Sequence, residues 1–128
     1  MANNLVTTES SNMLAFAFGL TNTVPTLPVT LGLDTAVGNA TTPGTSVPGV
    51  TPQTFTASGA TAEQVSNSNG INFTNMPAVP SPGVQGITIR DSATTPARKW
   101  SGPLAAAKIT NAGDTLSFAV GAVVASLV

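Results

Sequence analysis

The chain has no cysteine, no histidine and no tyrosine, and Lys, Arg, Asp and Glu together make up only 7% of its 128 residues. Without cysteine there are no disulfides and no thiolate metal sites, and the redox compartment stays open. Without histidine or tyrosine the usual carriers of protons and the commonest metal ligand are missing. The remaining carboxylates are Glu9, Asp34, Glu63, Asp91 and Asp114. Their spacing brings no two together as an acid and base pair and forms no D-x-D-x-D-G oxygen cluster, so each reads as a solvated or turn-capping group. The phosphate-cradling runs GxxxxGK[ST] and GxGxxG are absent as well. No catalytic residue, metal or cofactor is assigned, and the expectation is a protein that is not an enzyme and takes no small-molecule substrate.

Charge is scarce in both signs. A formal net charge of −1 supplies no basic field for a phosphate backbone or an anionic lipid surface, which argues against nucleic acid and membrane as partners. The opening MANNLVTTESSN lacks the basic start and unbroken apolar run of a secretion signal. No stretch reaches the roughly 18 apolar residues of a spanning helix. The expectation is synthesis and residence in a bacterial cytoplasm, where the Asn72-Phe73-Thr74 match to a glycosylation signal has no meaning. So little charge also gives weak protection against self-association, which suits a subunit of an assembly better than a free monomer.

In place of charge the chain has Thr, Ser and Asn, with 12 Gly and 10 Pro, residues that fit pleated surfaces and turns rather than helices. The length suits one domain, 1–128, with an N-terminal arm at 1–10. Met13, Leu14, Phe16 and Phe18 between a serine pair and Gly19 predict one short helix over Ser11–Phe18, although Leu14, Phe16, Phe18 and Leu20 also alternate as in a strand. Alternation predicts strands at Val29–Leu33, Gln53–Ala57, Ala62–Ser66, Ile71–Thr74, Val84–Arg90, Lys99–Leu104, Ala106–Thr110, Thr115–Val120 and Val123–Leu127. In these strands Ile87 and Ile89 point inward, Thr88 and Arg90 outward, and Leu116, Phe118 and Val120 face the core. Residues 38–52 hold three Pro and three Gly and read as a long loop, either a surface loop or an arm laid on a neighbouring subunit. About eight short strands after one helix describe a mainly β, single-domain antiparallel β-sandwich or jelly-roll-like fold.

Contact residues are sought where apolar or aromatic side chains fall in irregular segments: Met13, Phe16 and Phe18 in the helix, Val47 and Val50 in the loop, and Arg98 and Trp100. The last pair lies in the one concentration of charge, Arg90, Asp91, Arg98, Lys99, Lys108 and Asp114. That concentration reads either as a solvated rim or as a docking patch, because Trp and Arg are enriched at interface hot spots.

The run Gly86-Ile87-Thr88-Ile89-Arg90-Asp91-Ser92-Ala93, then Trp100-Ser101-Gly102-Pro103-Leu104 with Lys108-Ile109-Thr110, and then Asn111-Ala112-Gly113-Asp114-Thr115-Leu116-Ser117-Phe118 with Gly121, resembles the C-terminal half of a family of small phage virion proteins. That family carries a "PKTVNAGDTLSF" hairpin before an apolar final strand. Asn12-Met13-Leu14, Phe18-Gly19 and Pro28-Val29-Thr30-Leu31-Gly32-Leu33 are similar to its opening helix and first strand. The middle departs, with Pro48-Gly49-Val50-Thr51-Pro52-Gln53 where the family has a glycine-rich, aromatic and arginine-bearing segment, and Ala105–Ala107 where a proline is usual. Members are labelled head decoration or tail fibre proteins. The resemblance implies a capsid decoration (cement) protein on the virion surface, bound to the major capsid protein and to copies of itself as a trimer. Its alternative is a tail-associated fibre or host-recognition module of the same virion.

Overall fold

The computed structural model describes residues 5–21 and 24–126. Among these residues one helix, α1 (Thr7–Ala17), precedes nine strands: β1 (Thr30–Ala36), β2 (Thr45–Ser46), β3 (Gln53–Thr54), β4 (Gln64–Ser66), β5 (Ile71–Phe73), β6 (Val79–Arg90), β7 (Arg98–Thr110), β8 (Leu116–Phe118) and β9 (Val124–Ser126). The main sheet runs β2-β1-β6-β7, with β3 on the outer edge of β1 beside β2, and two short sheets pair β4 with β9 and β5 with β8. Every pairing is antiparallel. The fold is mainly β, a single-domain antiparallel β-sandwich with one short helix.

Register divides the main sheet into two unlike faces. Leu31 pairs with Ile89 and Leu33 with Ile87, and Ile89 and Ile87 pair in turn with Trp100 and Gly102. These residues share one face. The small sheets close over it, so that Leu31, Leu33 and Ile89 meet Ile71, Phe73, Leu116 and Ala125 in one core. Phe73 lies edge-on to Phe118 with ring centroids 6.3 Å apart, a favoured aromatic geometry. The opposite face carries Gly32 and Asp34 of β1, Thr88 of β6 and Ser101 of β7 in adjacent register.

Asn67 ties the small sheets together. It is fully buried; its amide Nδ2 donates to the carbonyls of Asn69 (2.6 Å) and Ala119 (2.8 Å), and its Oδ1 accepts from the Val123 amide (2.9 Å). All its polar capacity in this buried place is thereby used, as burial requires.

Several sequence expectations change here. Thr88 does not point to solvent but is wholly buried, because the second face of β6 is also covered. Val120 is 65% exposed, since the chain leaves β8 at Phe118 and turns through Val120 and Gly121. The two strands expected at Lys99–Leu104 and Ala106–Thr110 are one strand, β7. Its ladder with β6 jumps from Gly86↔Pro103 to Val84↔Lys108 and leaves 104–107 as a bulge. Residues 38–52 are not an outlying arm: they contain β2, and Val47 donates its amide to the Leu33 carbonyl at 2.9 Å. The expected end of the last strand at Leu127 lies outside the described residues.

Candidate functional site

The helix begins four residues before the expected serines, with Val6 at the N-cap and no side-chain cap. Tertiary bonds hold it instead. Leu5 bridges to Trp100, the Val6 amide donates to the Lys99 carbonyl (3.1 Å), and the Thr7 amide donates to the Ala40 carbonyl (3.1 Å). Lys99 Nζ lies 3.0 Å from Glu9 Oε1, and the Glu9 carboxylate in the first turn also favours the helix dipole. At the far end the Gly19 amide donates to the Phe16 carbonyl (3.1 Å) and the Leu20 amide to the Ala15 carbonyl (2.8 Å). With Gly19 at φ 71° this is a Schellman stop, the role expected of that glycine.

Between these ends nothing in α1 is buried. Met13, Leu14, Phe16, Phe18 and Leu20 are 45% to 81% exposed, and Val24 and Leu27 on the returning chain are 69% and 77% exposed. At about 100° per residue the side chains at 13, 14 and 16 span about 160° of the helix circumference, a broad apolar face that the sheet leaves uncovered. Of the residues expected to make contacts, Met13, Phe16 and Phe18 thus lie together on an arm whose base is tied to the sheet through Lys99 and Ala40.

Beside that base is an apolar groove of about 600 Å³, lined by Leu27, Val29, Phe55, Val65, Ile89, Trp100 and Ala125. Trp100 is half-buried, packed against the core on one side and forming groove wall on the other. A second concavity, about 740 Å³, mixes Leu104, Ile109, Phe118 and Val124 with Lys108 and Asp114. The charges that are near one another in sequence are therefore separated in space: Lys108 and Asp114 line this second concavity, away from the groove that Trp100 lines.

Arg98 faces the polar side of the sheet, where its guanidinium donates to the Asn39 carbonyl and, at 3.0 Å, to Ser101 Oγ. Asn39 in turn accepts from the amides of Thr41 (3.0 Å) and Thr42 (2.8 Å), an Asx turn that folds 38–44 over this face. A Cβ on Gly44 would lie 2.6 Å from both the Ala36 carbonyl and Asp34 Oδ2, so only glycine allows the loop to approach so closely. Asp34, expected to be solvated, is sealed beneath it at 1% exposure. Its Oδ2 accepts from the Thr88 hydroxyl while Oδ1 has no partner. Burial pushes its carboxyl above the ordinary carboxylate range, against the opposing effects of the Thr88 hydroxyl and the Arg90 and Arg98 charges.

Asp91 fulfils the turn-capping expectation. Its Oδ1 accepts from the amides of Ala97 (2.8 Å) and Ala93 (3.3 Å), and Lys99 Nζ lies 3.7 Å from Oδ2. Burial raises its pKa, but the backbone donors and then Lys99 outweigh this, so the carboxyl is held below its usual range. Among the described residues no group of three His, Cys, Asp or Glu side chains is placed to hold a metal ion, and no helix is long and apolar enough to cross a membrane.

Two expected contact residues are placed differently from the rest. Val47 is 3% exposed and belongs to the core, so it is corrected from a surface contact to a packing residue. Val50 is half-buried against the same core. Conversely, Leu27, Phe55, Val65 and Ala125 line the groove without any local sign in the sequence, because they are brought together only by strand register. A model of the family described as Podophage GP4 fiber I protein gp80 matches residues 4–126. No curated protein and no solved structure matches the chain. The chain belongs to this family of phage structural, fibre-type proteins.

Proposed function

We propose, with membership of that family as the premise, that the chain is a non-catalytic subunit of the virion's fibre apparatus. It joins neighbouring copies of itself to other virion proteins and turns over no substrate. The observation that carries this reading is the family match over nearly the whole described chain, together with an apolar arm that the subunit's own core leaves uncovered. An assembly of this kind needs no chemistry. Binding that occurs only in the assembled state draws the equilibrium toward assembly, and repeated weak contacts add through avidity.

A second reading, a cement protein spread over the capsid surface and bound to the major capsid protein, is favoured by the charge-poor composition, which lets many copies crowd without repulsion. Copy number separates the two. Quantitative gel analysis of purified particles is expected to show a fibre component at a few copies to a few dozen per particle, whereas a cement protein would approach the abundance of the major capsid protein. Absence from intact particles would overturn both.

A further inference from the structure

The arm and the groove are two unpartnered apolar surfaces on one chain. Taking about 200 Å² for a fully exposed side chain of this size, the six exposed apolar residues from Met13 to Val24 present roughly 800 Å². That exceeds the largest apolar patch of a typical monomer, about 300–600 Å², and equals what one partner contributes to a stable interface, about 800 Å². An 11-residue helix without packing is also too short to hold itself in water. Something must cover it.

The groove has the matching chemistry. Its walls are apolar, its volume of about 600 Å³ accommodates several large side chains, and α1 of the same chain does not fill it, since no residue of α1 is buried. Between Ser10 and Leu33 the sequence has no charged residue, so burying the arm strands no charge. Lys99 at the groove is already paired with Glu9 and Asp91.

We propose that the end of α1 and the turn that follows it in one copy lie in the Leu27–Trp100 groove of a second copy of this chain, with Phe16, Phe18 and Leu20 seated against Phe55 and Trp100. The contact is heterologous, arm to groove, so it closes into a reciprocal dimer or small ring, or runs on as an open filament, according to the rotation between copies. It rests on the self-association proposed above and assigns that association a site.

The test is the solution mass of the full chain by light scattering, for wild type, for the arm variant Phe18→Ser/Leu20→Ser, and for the groove variant Ala57→Glu at an exposed wall position. All three should keep the same sheet signal in circular dichroism, because the altered side chains lie outside the core, while the helical signal of α1 weakens in a variant whose arm is left uncovered. Wild type is expected to be oligomeric and each variant monomeric. A mixture of the two variants should recover a mixed complex, since one retains the groove and the other the arm. A monomeric wild type would overturn the self-association itself and leave the arm to a different virion protein. An oligomeric wild type with either variant unchanged in mass, or with no complex in the mixture, would overturn only the arm-to-groove contact. An oligomer that behaves as expected but is missing from purified particles would leave the contact standing and remove the virion role.

Discussion

The sheet body and the helical arm obey opposite rules with the same residue types. In the body, Phe73, Leu31 and Ile71 are all but inaccessible, and even the polar face of the sheet is closed. In the arm, Phe16, Phe18, Leu14 and Leu20 stand in solvent on a helix pinned at one end by Lys99 and Ala40. The difference teaches where each region finds its stability: the body is complete within one chain, and the arm is not. Hydrophobic side chains do one job in the first and a different job in the second.

The largest effect should fall on the body. Phe73→Ala removes a buried ring from the Phe118 contact and the centre of the core, and should cost about 3–5 kcal/mol in urea unfolding. A loss below about 1 kcal/mol would mean that the core is not organised around this ring.

A smaller effect of opposite sign is expected at Asp34. Its carboxyl pKa is raised in the fold, so the native state holds the proton to a higher pH than the unfolded chain does. The Asp34 contribution to stability is therefore greatest at low pH and falls as pH rises from the ordinary value of 3.8 through the raised one. Asp34→Asn removes that loss and should raise Tm at neutral pH, while flattening this part of the pH profile. A lower Tm at neutral pH would show that the charge is compensated by Arg90 and Arg98. Asp91 carries the reverse dependence: its depressed pKa contributes stability above the ordinary value that is lost as pH falls through the lowered one.

The smallest effect on folding belongs to the arm. Phe18→Ser should change monomer stability by no more than about 0.5 kcal/mol when measured in dilute solution, because that ring is 77% exposed. A cost approaching that of Phe73→Ala would erase the contrast between the two regions.

Local periodicity made some of this architecture legible. Leu31 and Leu33, Ile71 and Phe73, and Ile89 announce their faces by alternation, and the strand-rich class follows from Thr, Ser, Gly and Pro. Thr88 and Asp34 were misread for one shared reason: alternation assigns a polar residue to solvent, and nothing local says that residues 38–44 fold back over that side. Gly38 and Gly44, which read only as loop residues, are what permit this. The arm was partly legible in Met13, Phe16 and Phe18 and in the Gly19 stop, whereas its early start depends on bonds to residues over thirty positions away. The groove was not legible, since Leu27, Phe55, Val65, Trp100 and Ala125 meet only through the pairing of β4 with β9 and of β1 with β3 and β6.

The sealed carboxylate of Asp34 has a consequence for how β1 finds its place. Shifting this strand by one residue along β6 would turn Leu31 and Leu33 toward the polar face and drive Asp34 into the apolar core that holds Ile71 and Phe73. Neither misaligned state offers the charge a hydroxyl or a guanidinium, so each costs far more than the aligned pairing with Thr88. A residue that weakens the finished sheet at neutral pH thereby polices its alignment, so that every copy of the chain is threaded the same way.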